Sequence, residues 1–202
     1  MLWLVALLSC TKTPADTADA VQPATCAELM AEPGDASSEA GLQGALEAVR
    51  WNLFPELREV SLTLQANSDD SSFFAANLVI ATIDDPPLER EYVVIYSTLL
   101  LPDPPPYGAV VAILAHELKH VSDYTELDGE ALAEFGLWYA TADDISEYER
   151  ATDEHALALG CGEGLIQYRE WLYAHIDPSE VEAKEYNYYT PEEIAAWMAA
   201  NP

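Results

Sequence analysis

Three side chains close together in the chain carry the most suggestive chemistry. They are His116, Glu117 and His120, within Ala115-His116-Glu117-Leu118-Lys119-His120-Val121. On an α-helix, residues four apart share a face and lie about 6 Å apart along the axis. Both imidazoles can therefore reach one tetrahedral metal ion, and zinc is the ion this donor type suits. Glu117 sits too close to its neighbours to be a convenient third ligand. It is well placed to take a proton from a water on that ion, whose pKa zinc lowers to about 7, so a carboxylate base suffices near neutral pH.

The flanking residues supply the helix this geometry needs. The run Pro102-Asp103-Pro104-Pro105-Pro106 stops any preceding element, and the stretch from Tyr107 to Leu118 is apolar with few interruptions. That pattern predicts a helix that starts after a proline stop and enters a core. Two histidines and a glutamate on a largely buried helix need partners, because burying polar groups without them is costly. A cation answers that need.

A catalytic zinc takes three protein ligands and keeps one open position. The best source of the third is Glu149-Arg150-Ala151-Thr152-Asp153-Glu154-His155-Ala156. Glu149 and Asp153 are four apart on a predicted helix, hence on one face. One can bind the metal, and the other can accept the second ring N–H of a ligand histidine and fix its tautomer. Glu126 is a weaker rival, because Asp123 stands where the tight turn it needs would want glycine. Glu130, Glu134 and Glu147 are most simply solvated helix faces. Donors for an oxyanion are sought among His155, His175, Tyr148, Tyr186 and Tyr188.

HELKH followed by an ExxxD helix resembles the gluzincin metallopeptidases. Tyr92 to His120 is especially similar to the small gluzincins related to the Ste24-type and heat-shock membrane proteases. Their later motif, Glu-x-x-Ala-Asp-x-x-Ala, is matched by Glu149, Asp153 and Ala156, with Thr152 in place of Ala. The likeness spans roughly residues 91 to 165. It implies His116, His120 and Glu149 as ligands of one zinc ion, Glu117 as catalytic base and Asp153 as the partner of a ligand histidine. It also implies a zincin-like fold in which an edge strand runs along the cleft and pairs with an extended peptide. Two features depart from the family: its large hydrophobic membrane helices are missing, and Lys119 stands where glycine is common, on a side facing away from the metal.

The positioning elements follow from periodicity. A helix is predicted from Ser37 to Leu53, capped by Ser37 or Ser38. Strands are predicted over Glu59 to Ala66, Phe73 to Ile83 and Tyr92 to Ser97. Of these, the second and third are candidates for the cleft edge. Further helices are expected over Asp128 to Thr141, over Asp143 to Leu159 with Asp143 or Thr141 as cap, and over Gly164 to His175. Thr190-Pro191-Glu192-Glu193 reads as a capping box with proline at N1, opening a last helix to Ala200. The expectation is an α+β, zincin-like domain: a small, mainly antiparallel sheet on the HELKH helix, then a helical C-terminal half.

At 202 residues and half hydrophobic, the chain is long enough for one domain with a real core. Its net charge of −28, from 36 acids against 8 Lys and Arg, argues against nucleic acid as a partner. Met1 to Leu8 are apolar, and Leu7-Leu8-Ser9-Cys10 resembles a bacterial lipobox, although no Lys or Arg precedes the apolar run. The expected organisation is a signal peptide over 1–9, a flexible tether over 10–25 and a metallopeptidase domain over 26–202. Lipid on Cys10 would hold the chain on a membrane outside the cytoplasm, leaving Cys26 and Cys161 as a candidate disulfide. The expected activity is zinc-dependent hydrolysis of peptide bonds. Two alternatives stand beside it: a non-catalytic metal-binding surface lipoprotein serving as an interaction platform, and a metal-free interaction module.

Overall fold

The computed structural model describes residues 23–68 and 72–202. The signal and lipobox readings, and most of the tether, fall outside them. The tether's end is held: the Ala24 amide donates to Asn52 Oδ1 at 2.8 Å, and Thr25 caps α1 (Cys26–Ala31) through a capping box with Glu28. This helix was not expected, although Thr25-x-x-Glu28 is the signature that announces one.

Next come α2 (Glu39–Leu53), β1 (Ser61–Asn67), β2 (Phe74–Leu78) and β3 (Glu91–Ser97). Ser38 caps α2 with its side chain. β3 is central, parallel to β1 and antiparallel to β2. The sheet is therefore mixed, a correction to the mainly antiparallel expectation. β2 is also shorter than predicted: after Leu78 the chain leaves the sheet for a 3-10 turn at Ile80–Thr82. Tyr92 to Ser97 lie in a strand paired on both sides, so they cannot form the cleft edge. β2 is the edge nearer the HELKH helix.

That helix, α3 (Tyr107–Thr125), starts directly after Pro106. It is buried almost all round from Ala109 to Val121, which makes it the centre of the core. α1, α2, α5 (Ser146–Ala158), α6 (Gly162–His175) and β2 pack on it. The crossing with α6 is close because both sides carry glycine. A Cβ at Gly164 would lie 2.4 Å from the Gly108 carbonyl oxygen.

α4 (Gly129–Thr141), capped by Asp128, buries only Leu132 and leaves Leu137 and Trp138 exposed. α5 begins three residues later than expected, and neither Asp143 nor Thr141 caps it; Asp144 Oδ1 instead accepts from the Ser146 amide at 2.9 Å. Gly160, at φ 85°, turns the chain out of α5. α7 (Pro178–Asn187), also not expected, starts from Asp177 as N-cap with proline at N1. α8 (Pro191–Ala200) opens on the predicted capping box at Thr190.

Cys26 and Cys161 are joined, with Cα atoms 5.3 Å apart, tying α1 to the turn before α6. The bond closes 135 residues of sequence. In the chain-entropy picture such a loop contributes on the order of 5 kcal/mol, as an upper figure.

Candidate metal centre

α3 and α5 cross so that His116, His120 and Glu149 meet in the interior, exposed by 2, 6 and 0 %. His116 Nε2 lies 3.2 Å from His120 Nε2 and 3.2 Å from Glu149 Oε2, and His120 Nε2 lies 3.5 Å from Glu149 Oε2. Four ligands placed tetrahedrally about 2.05 Å from one ion would be about 3.3 Å apart. The observed triangle has that size.

The tautomers point the same way. His116 Nδ1 is 2.9 Å from Asp153 Oδ1, and an ionised carboxylate only accepts, so the proton sits on Nδ1. His120 Nδ1 is 2.9 Å from the Tyr148 hydroxyl, which in turn lies 3.5 Å from Asp123 Oδ2. Both histidines thus have their outer nitrogens engaged and their Nε2 atoms turned inward. Glu149 Oε1 accepts from the Tyr139 hydroxyl at 2.5 Å, while Oε2 is buried with no hydrogen-bond partner. Two nitrogen lone pairs and an orphaned carboxylate oxygen facing one another are tolerable only around a positive charge. This His116, His120, Glu149 group could hold a metal ion.

The electrostatics express the same demand. Burial alone would lower the His116 pKa, but Asp153, bonded to its Nδ1, and the negative Glu149 carboxylate 3.2 Å from its Nε2 carry it to about 10. Burial favours a neutral Glu149, yet the two histidines hold its carboxyl far below the usual range. Without a cation, the centre retains a proton.

The surrounding residues orient the three ligands. Asp153 is fully buried and also accepts from Arg169 Nη2, at 2.9 and 3.1 Å, and from the Tyr189 amide at 3.0 Å. Tyr148→Phe removes the oxygen that fixes His120. It is expected to weaken binding of a divalent metal about tenfold or more, measured by competition with a chromogenic chelator. Unchanged affinity would show that Tyr148 does not orient the ring.

Glu117, next to the first histidine, is buried, which raises its pKa; the two histidines and a backbone hydrogen bond with Ala76 of β2 oppose this without cancelling it. Its carboxyl lines a cavity of about 580 Å³ together with all three ligands. β2 and the 3-10 turn after it form one wall of that cavity and α4 the other, so most of its lining is apolar.

Of the five oxyanion candidates, Tyr188 alone lines this cavity, its ring 5.8 Å from that of His116. Tyr148 is engaged with His120, and Tyr186 is exposed and bonds Asp144. His155 packs on Phe54, and His175 stacks on Trp171 and bonds Asp103. Glu126, Glu130, Glu134 and Glu147 are exposed, and Lys119 pairs with Asp123 away from the centre.

Tyr139, Arg169 and Lys184 also belong to the site's surroundings and were not foreseen. Tyr139 and Arg169 lie on predicted helices, but nothing in their spacing marks them. Lys184 lies on α7, whose Asp177-Pro178 start was legible. No protein-family model, curated protein or solved structure matches the chain.

Proposed function

We propose that the chain is a zinc-dependent peptidase of gluzincin type with a zincin-like domain, in which His116, His120 and Glu149 hold one zinc ion. The observation that carries this reading is the orphaned Glu149 Oε2 facing two inward Nε2 atoms, at the wall of a 580 Å³ cavity that Glu117 also lines. Zinc, when bound, acts as a Lewis acid that acidifies a water and polarises a carbonyl.

The chain's own residues do the rest. Glu117 takes the proton of the attacking water and returns it to the leaving amine. Burial raises its pKa and so makes it a stronger base. Tyr188 is kept protonated by burial and by the charge of Glu149, and it lines the cavity beside His116, so it is assigned the role of donor to the oxyanion. β2 is a sheet edge lining the cavity, so an extended peptide can pair along it while apolar side chains enter the cavity.

The Cys26–Cys161 bond supports an oxidising compartment, consistent with a lipid-anchored protein outside the cytoplasm. Among the described residues, no helix is long and apolar enough to cross a membrane. The test is hydrolysis of an unstructured protein such as casein. Cleavage that stops on chelation and returns with one equivalent of zinc is the expected result. Cleavage that survives metal removal, or none with zinc present, would sink the proposal.

A further inference from the structure

A second, smaller cavity of about 30 Å³ lies against His116 and Glu117, between α3, α6 and α7. It offers room for roughly two water-sized groups. Arg169, Lys184 and Tyr188 line it. Their hydrogen-bonding state is unusual for this chain, in which 36 acids face 8 bases.

Every Lys and Arg side chain of the described residues except that of Lys184 has an acceptor, which for Arg169 is Asp153, reached through Nη2. Arg50, Arg58 and Arg90 bond backbone carbonyls, Lys119 pairs with Asp123, and Arg150 with Glu193. Lys184 makes neither a hydrogen bond nor an ion pair through its side chain among the described residues. Its ammonium faces the ring of Tyr188 at 5.7 Å. The Arg169 guanidinium lies 4.6 Å from the same ring, is 2 % exposed, and leaves its Nε without an acceptor. The Tyr188 hydroxyl has no hydrogen-bond partner among the described residues.

Two cationic side chains and a tyrosine thus line one small space with Glu117 and His116, and among the described residues no side chain or carbonyl accepts from the Lys184 ammonium. Burial and the charge of Arg169 both push the Lys184 ammonium below its usual range, and nearby carboxylates only partly offset this. An anion in the cavity would relieve that repulsion.

We propose that this cavity receives a carboxylate of the substrate, bound by the Lys184 ammonium in the positive field of Arg169. The size of the space suits the two oxygens of a carboxylate. The proposal rests on the peptidase reading, because a peptide's anions are carboxylates. A terminal carboxylate there would make the protein an enzyme that trims C-termini, and an Asp or Glu side chain would make it one that cuts beside acidic residues. The chain's −28 charge repels anionic peptides at a distance, so their acceptance depends on a local cationic pocket.

The test is binding to zinc-loaded Glu117→Gln protein, which needs no turnover. The probes are N-acetylated hexapeptides of leucine and alanine in three forms: a free C-terminal carboxylate, a C-terminal amide, and the amide with one glutamate. One of the two carboxylate peptides is expected to bind at least tenfold tighter than the plain amide, and which one identifies the source. Lys184→Met should cut the preference below twofold, and Lys184→Arg should keep most of it. Equal affinity for all three peptides would overturn the proposal. So would a Lys184→Met loss that is uniform across them, because the lysine would then serve the fold or the reacting oxygen. Binding preference without any wild-type cleavage would remove the peptidase reading and leave the pocket, so the two failures are distinct.

Discussion

Glu117→Gln is expected to lower peptide turnover by about 10²- to 10⁴-fold, the usual contribution of a positioned proton-transfer group. Zinc content should not change. The reason lies in the division of labour at the centre: the three inward donor atoms come from His116, His120 and Glu149, and Glu117 is not among them. Glutamine keeps the side chain's size and its ability to accept from Ala76, but it cannot hold a proton in transit. KM should move little, because the apolar walls that receive the substrate belong to β2 and α4. Turnover measured beside metal content separates this account from its rivals. Loss of both zinc and turnover would make Glu117 a ligand. Wild-type protein that binds zinc and cleaves nothing would fit an interaction platform.

Arg169→Met is expected to destabilise the fold by about 3–5 kcal/mol, the usual cost of stranding one member of a buried ion pair. Asp153 is fully buried and would keep only His116 and the Tyr189 amide. The pH dependence fixes the sign. Burial pushes the Asp153 carboxyl up, but the Arg169 charge and the His116 hydrogen bond overcome this and hold it below its ordinary 3.8. A depressed carboxyl stabilises the fold above the unfolded pKa and loses that contribution as pH falls through the folded one. Urea unfolding should therefore show the full deficit at neutral pH and a shrinking one below about pH 4. A variant as stable as wild type at neutral pH would show that the pair is not needed to compensate the burial of Asp153.

How much of this was legible in the sequence depended on distance along the chain. His116, Glu117 and His120 sit within one helical turn or so, where 3.6-residue geometry alone fixes their relation. Glu149 and Asp153 could be set on one face of α5 by the same rule, but which of them faces the metal and which the His116 ring was left open by spacing. The crossing of α3 and α5 decides that. Proline and capping signals located the starts of α2, α3 and α8, because these are local steric and hydrogen-bonding effects.

Strand direction was not local. Whether β1 and β3 run parallel is decided by how the connections fold back, and no dipeptide records it. Arg169 and Lys184 were likewise invisible, since each reaches the centre only after α6 and α7 have packed. α7 itself was missed although its Asp177-Pro178 start was readable; its weakly amphipathic run, with no buried residue, hid it.

The central claim is that two imidazoles from α3 and one carboxylate from α5 jointly bind a single ion. The direct measurement is metal content by elemental mass spectrometry, after dialysis of the purified chain against excess zinc and then against buffer. One zinc per chain in wild type, and substantially less in Glu149→Ala, is the predicted result. A wild-type chain that retains no zinc, or a Glu149→Ala chain that retains as much as wild type, would contradict it.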